Sequence, residues 1–322
     1  KMKINKSPKR AQLQVSFAWI FAIIVGAFIL FIAIYSATKV VKTGDTEVSA
    51  KAGKEISALL NPLEIGFETG VVVLLAVPVE TRIYNQCDTS GNFGRQIIKV
   101  SQKSFNTWAE TDVEAGFPNK FIFSDGVEEG RNFIVFSKPF EFPFKVSDVI
   151  YMTSSNKKYC FFKAPTEIKK ELQGLGQENI LVESLECPEQ SIKVCFSETV
   201  GADSGCDITV DKMQSSVEKR GEMVYYETDA LMYAAIFSDK AVYECQVKRL
   251  MKRTEKISLL YDEKRSLLSQ KGCPDTVDLQ SLASSTGAFT NSSTLSSQDL
   301  FSVAITADQV NKQNDAATCA LW

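Results

Sequence analysis

Apolar side chains run almost without interruption over residues 15–37, and no charged residue occurs in the 28 positions between Arg10 and Lys39. A helix of roughly 20 residues crosses the hydrocarbon core of a bilayer, so this pattern predicts one membrane span with some tilt to spare. Residues 38–60 continue at helical spacing through Val41, Val48, Ala52, Ile56, Leu59 and Leu60, with Asn61-Pro62 as the stop. They predict a helical stalk, open to kinking at Gly44 or Gly53. From Gly70 the pattern turns to β. Residues 71–77 form an apolar run closed by Pro78, as in a buried strand. Residues 119–124 and 132–137 flank the turn-rich stretch 125–130 as the arms of a hairpin, across which Phe121, Phe123, Phe133 and Phe136 stack. Pro139 and Pro143 suit an edge segment over 139–144.

Further strands are predicted at 146–152, 159–162, 180–182, 191–196, 207–210 and 222–227, with a helix opening at Pro165 and running to Leu172. A long helix follows over 239–271. Its Tyr243, Val247, Leu250, Thr254, Ile257, Tyr261, Lys264 and Leu268 recur at steps of four and three as a heptad-like seam. Ser238 and Asp239 can cap its start, and Gly272 and Pro274 end it. Lys248, Arg249, Lys252, Arg253 and Lys256 lie on the other side. That basic face is expected to be solvated, or else docked on an acidic surface or a second subunit. Ten of the 17 residues from Ser281 to Ser297 are Ser or Thr, which predicts a flexible or glycosylated surface segment with Asn291 in an Asn-Ser-Ser sequon. Residues 300–306 can return as a strand.

The expected class is α+β: an N-terminal transmembrane helix with a helical stalk, followed by a disulfide-containing mixed α/β extracellular head. The segments are a basic cytoplasmic leader (1–10), the span (11–37), the stalk (38–62), a β-rich head (63–237), the long amphipathic helix (238–272) and a Ser/Thr-rich, partly irregular C-terminal stretch (273–322).

Charge sets the expected orientation. Lys1, Lys3, Lys6, Lys9 and Arg10 precede the span, and cytoplasmic flanks carry the Lys/Arg excess, so the N-terminus is expected inside and the head outside. The run is longer than the apolar stretch of a secretory signal peptide, which favours anchoring over removal at its C-terminal end. Six of the 36 Lys and Arg fall in the first 40 residues, where there is no Asp or Glu; the rest of the chain carries 30 basic against 39 acidic side chains. An acidic exterior speaks against a nucleic-acid partner. All eight cysteines (Cys87, Cys160, Cys187, Cys195, Cys206, Cys245, Cys273 and Cys319) lie beyond the span, as an exported domain with disulfides would have them. Eight cysteines allow 105 connectivities, among which Cys195 with Cys206 is the best single pairing, closing a short loop between two strand-like runs, and Cys319 can tie down the C-terminus.

The chain contains no histidine. Imidazole-based triads and His-ligated metals are thereby removed, and no two cysteines lie closer than eight positions apart, so a Cys-x-x-Cys knuckle is missing as well. Two Ser-x-x-Lys matches, at Ser154/Lys157 and Ser216/Lys219, and Lys42-Thr-Gly44 stand in the wrong order for penicillin-binding enzymes. The acidic turns at 125–129 and 203–207 can hold calcium but lack EF-hand spacing. No catalytic residue, cofactor or metal ligand is singled out, and the chain is expected not to be an enzyme.

The stretch Pro8-Lys-Arg-Ala-Gln-Leu-Gln-Val-Ser-Phe17, basic and running straight into the span, resembles the class III signal peptides of archaeal type IV pilin-like proteins. The resemblance covers about 25 residues. It implies cleavage between Arg10 and Ala11, ahead of the apolar helix, and assembly by packing of that helix with its copies, for which Val15, Phe17, Ile20, Ile24, Phe28 and Phe31 are the candidate residues. Two features depart from it: no acidic residue stands near the start of the span, and the head is large for a major pilin, which suits a minor, tip or initiating subunit. The function expected on these grounds is a pilin-like structural subunit of a cell-surface filament or envelope assembly. Its partners would be membrane lipid and like subunits. The alternatives are a single-pass membrane-anchored ectodomain that binds a surface ligand or partner protein as an adhesin or receptor, and, third, an extracellular hydrolase using carboxylates.

Overall fold

A computed structural model of the chain describes residues 17–60, 72–104, 107–108, 114–183, 187–197, 205–291 and 297–322, with the backbone alone at 18, 40–60, 104, 297 and 298. The chain opens with helix α1 (Phe17–Leu60), 44 residues without a break. At 1.5 Å per residue it is about 66 Å long. Span and stalk are one helix, and its pairing continues through Gly44 and Gly53.

The first sheet contains β1 (Val72–Asp88), β2 (Arg95–Ser104), β3 (Thr107–Trp108), β4 (Glu114–Phe117), β5 (Ile122–Phe123), β6 (Val127–Glu141) and β7 (Lys145–Ser154). Its order is β3-β2-β1-β6-β7-β5, with β4 also on β2. β1 does not stop at Pro78. Its register against β6 shifts between Ala76 and Thr81, and this irregularity takes up the proline, whose nitrogen cannot donate to a ladder. The expected hairpin of 119–124 with 132–137 does not form: β5 pairs parallel with β7, while β6 lies antiparallel between β1 and β7. The long ladders on both sides of β6 outweigh a local turn. Phe133 therefore faces a different core from Phe121, Phe123 and Phe136. Pro139 pairs with Asp148 of β7 and lies past Phe136, the last β6 residue paired with β1 among the described residues; Pro143 is in the β6–β7 turn.

The second sheet is built from β8 (Tyr159–Phe162), β9 (Ile180–Val182), β10 (Ile192–Ser197), β11 (Ile208–Asp211), β12 (Ser216–Lys219) and β13 (Glu222–Tyr225), with α2 (Thr166–Gly174) crossing from β8 to the parallel β9. The order is β13-β12-β11-β10-β8-β9, parallel from β9 to β11 and antiparallel beyond. Helix α3 (Asp229–Phe237) runs through the centre with residues 230–237 all buried. Being apolar on every side, it shows no amphipathic period that would announce it. Phe237 packs edge-on against Phe136 of the first sheet and Tyr159 of the second, and a single hydrophobic cluster joins both sheets to the helices that follow.

Helix α4 (Lys240–Gln270) ends in a Schellman turn, with Cys273 N–H bonded to Leu268 O and Gly272 N–H to Ser269 O, and Gly272 at φ +88°. Its start differs from expectation. Asp239 occupies the N-cap position, but its carboxylate accepts from Gly126 N–H at 2.7 Å and makes no cap bond, while Ser238 Oγ donates back to Ala234 O. The Ser/Thr-rich segment is largely helix α5 (Leu279–Asn291), and residues 300–306 belong to helix α6 (Ser297–Ala316) instead of a strand. Leu279, Leu282, Ala283, Thr286 and Phe289 make one buried stripe, and Leu300, Val303, Ala307 and Val310 another. Tertiary burial of these stripes, rather than the modest helix propensity of Ser and Thr, holds both helices.

Four disulfides staple the head: Cys87–Cys245 between β1 and α4, Cys160–Cys187, Cys195–Cys206 and Cys273–Cys319. The last ties the C-terminus to the end of α4.

Candidate functional site

Three features carry what this molecule can do: the uncovered half of α1, the polar seam under α4, and an ion cluster where the two sheets meet. From Trp19 to Lys39, α1 has a mean hydropathy of 2.7 and none of it is buried. Phe17, Ile20, Ile24, Phe28 and Phe31 are exposed, as are Trp19, Phe21, Ile23, Ile29 and Leu30 on the other sides. The helix is thus apolar all round, and no single assembly face stands out. A Cβ added at Gly26 would meet nothing within 4 Å. Val15 and the residues of the expected cleavage, Arg10 and Ala11, lie outside the described residues.

The polar seam corrects the reading of the basic face. Arg249 is fully buried, and its guanidinium donates to the carbonyls of Phe93 (3.2 Å), Lys120 (2.7 Å), Phe117 (3.3 Å) and Pro118 (3.0 Å) and to Gln246 Oε1 (2.6 Å). It also stacks 4.6 Å over the Phe121 ring. Burial pulls its pKa down to about 10, with the like charge of Arg253 adding to the effect, so it remains a cation at neutral pH. Lys252 Nζ donates to Thr89 O and Gly91 O, and Arg253 Nε to Val146 O at 2.9 Å. Arg249, Lys252 and Arg253 dock on backbone carbonyls near strand ends, whereas Lys256 pairs with the carboxylate of Glu255. Gly94, at φ +59°, makes room for this: a Cβ there would collide with Asp88 O and lie 3.0 Å from the Arg249 stem. Gln246 extends the seam inward to Gln96, which bonds Asn85, the Ile122 N–H and Gln86 O.

The ion cluster joins Asp125, between β5 and β6, Glu128 on β6, Lys157 in the β7–β8 turn and Lys219 at the end of β12. Lys157 Nζ lies 2.5 Å from Asp125 Oδ2 and 2.7 Å from Glu128 Oε1, and Lys219 Nζ lies 2.7 Å from Asp125 Oδ1. Lys219 also donates to Ser238 O, and Glu128 Oε2 accepts from Ser154 N–H. Burial works to raise the Asp125 pKa, but Lys219 and Lys157 outweigh it and hold the group well below the carboxylate range. For Glu128 burial wins over Lys157, and its pKa is raised. Two carboxylates facing two ammonium groups leave no surplus negative charge for calcium at the turn 125–129. Residues 203 and 204 of the turn at 203–207 lie outside the described residues. Among the described residues no three Asp, Glu or Cys side chains converge as a metal site.

Both lysines of the Ser-x-x-Lys matches are committed to this cluster. Ser154 Oγ donates to Glu129 O at 2.6 Å, so no serine–lysine pair is poised for nucleophilic chemistry there. A cleft of 610 Å³ nearby is lined by Ile192, Cys206, Asp207, Thr209, Glu218 and Arg220. Asn291 is exposed at the end of α5, its Nδ2 donating to Gly287 O, and the remainder of its sequon lies outside the described residues. Comparison with protein-family models, curated proteins and solved structures returns no match for this chain.

Proposed function

We propose that this chain is a single-pass membrane protein, N-terminus in the cytoplasm and disulfide-stapled head outside, that serves as a pilin-like structural subunit of a surface assembly. The observation that carries the reading is the uncovered apolar stretch Trp19–Lys39, continuous in one helix with the segment leading to the head. Water cannot be the solvent of that surface. Its eleven Ile, Leu, Val and Phe side chains between Trp19 and Ala37 favour insertion by about 3–7 kcal/mol on a biological insertion scale. Four disulfides fit an oxidising compartment. Small residues at Ala22, Gly26, Ala27 and Ala33 would let copies of the helix approach closely. The head contributes no histidine and no free cysteine among the described residues, which supports a structural role over a catalytic one.

The test is the intact mass of the protein purified without reductant from its own membranes, before and after alkaline extraction. A chain that begins at Ala11, sediments in high-order assemblies and resists extraction supports the pilin-like reading. A mass beginning beyond Ala37 would mean that the helix is a removed signal sequence and would sink the proposal. A chain retaining Arg10 that stays monomeric would leave a permanent anchor and reject the assembly. As an internal check, Ile24→Lys with Leu30→Lys should abolish insertion, since each central lysine costs about 3 kcal/mol.

A further inference from the structure

We propose that the uncovered face of α4 between residues 256 and 271 contacts a second copy of this chain, antiparallel, about a two-fold axis passing between Glu263 and Lys264. Leu260 and Leu267 are the two large apolar residues of α4 left mostly exposed, at 64% and 52%, while the buried residues of the same helix turn to the core. They lie seven positions apart, two turns on one face, and line a shallow groove with Ile257, Tyr261, Glu263 and Lys264.

The charge pattern of the face selects its occupant. Under the two-fold, Leu260 of one copy falls opposite Leu267 of the other, and Glu263 falls opposite Lys264, twice over. The same face therefore presents both the apolar pair and the ion pair that it needs. Lys264 is already held in place, with Nζ donating to Leu321 O at 2.6 Å and lying 5.6 Å over the Tyr261 ring, and two further donors remain on its ammonium group. Lys256 and Lys271 meet as like charges only at the rims, about 11 Å from the axis, and Lys256 is paired with Glu255 at 2.8 Å. Four turns of helix cover less than a standard interface, so the contact is weak and reversible. It rests on the head alone and stands whether or not α1 spans a membrane.

The experiment uses full-length chains in neutral detergent micelles. One population carries Leu260→Cys and the other Leu267→Cys, mixed in equal amounts and oxidised with a copper catalyst. The expected product is the mixed 260–267 dimer, formed in clear preference to the 260–260 and 267–267 dimers, which two turns of offset disfavour. Adding Glu263→Lys to both populations should cut the yield about tenfold, because two attractive pairs become repulsive. Adding Lys264→Glu as well should restore it. These positions are exposed, and unchanged thermal unfolding will verify that the fold survives. Equal yields for mixed and like dimers, no crosslink, or a yield that ignores the charge reversal would overturn the proposal.

Discussion

Replacing Arg249 with methionine removes five hydrogen bonds, four of which hold α4 to the first sheet, while keeping much of the apolar stem. Four of the acceptors are backbone carbonyls at the ends of β2, β4 and β5, and the fifth is Gln246, so none can follow the substitution by changing rotamer except Gln246. A hydrogen bond from a charged donor contributes about 1.5 kcal/mol at the low end, or about 7 kcal/mol for five. Against this stands the cost of burying the cation, which the fall in pKa to about 10 puts at about 3 kcal/mol. The difference, about 4 kcal/mol, is the expected loss of stability. Because the folded value lies below the unfolded one, the burial cost is fully present at neutral pH and is relieved only as pH rises through 10. The loss should therefore be constant from pH 5 to 9. The assay is urea unfolding of the full chain in mild detergent with disulfides intact, followed by tryptophan fluorescence. With a slope of about 3 kcal/mol/M, the midpoint should fall by roughly 1.3 M at unchanged slope. Arg249→Lys should fall in between, its compact ammonium reaching fewer of the carbonyls. A methionine variant within about 0.2 M of the parent would refute the reasoning, since it would mean that water satisfies those carbonyls as well as the guanidinium does.

Asp125→Asn should destabilise the head by about 3 kcal/mol at pH 7, because Lys157 and Lys219 lose their shared counter-charge in a buried setting. The folded pKa of Asp125 is depressed, so its contribution is present above the ordinary carboxylate range and lost as pH falls through the folded value; the gap between parent and variant should narrow below pH 4. Thermal unfolding at pH 7, 5 and 3 reads this directly, and a gap that stays constant down to pH 3 would contradict the assignment. Removing the 158-residue link by Cys87→Ser with Cys245→Ser should cost about 5 kcal/mol on the chain-entropy model, against about 3 kcal/mol for the 11-residue Cys195–Cys206 loop. An equal cost for the two pairs, measured by urea unfolding, would show that loop entropy is not what these bridges contribute.

The apolar helix was legible from its residues, because 28 consecutive positions without a charge leave one solution for the backbone and the seam of α4 repeats often enough to exceed chance. Short strands such as β8 and β9 were legible for a similar reason: apolar runs bounded by turn residues. The eight cysteines pointed to a disulfide-bearing head, and the strand-like runs flanking Cys195 and Cys206 singled out the short loop between them. Position in three dimensions decided the rest. Phe133 and Phe136 look alike in a hairpin pattern, yet the partners of β6 come from residues 72–84 and 145–154, and that long-range pairing sends them to separate cores. The stripes of α5 and α6 are diluted by Ser and Thr and gain meaning only when α4 and the sheets supply something to bury against. The basic run on α4 reads as solvated because nothing local distinguishes a lysine in water from an arginine under a strand end. The backbone acceptors of Arg249 are carbonyls brought from more than 120 positions away, and the cluster that gathers Asp125, Lys157 and Lys219 likewise comes from three separate stretches of chain. Periodicity records what one element needs on its own; the partner that satisfies a buried charge is a property of the packed chain.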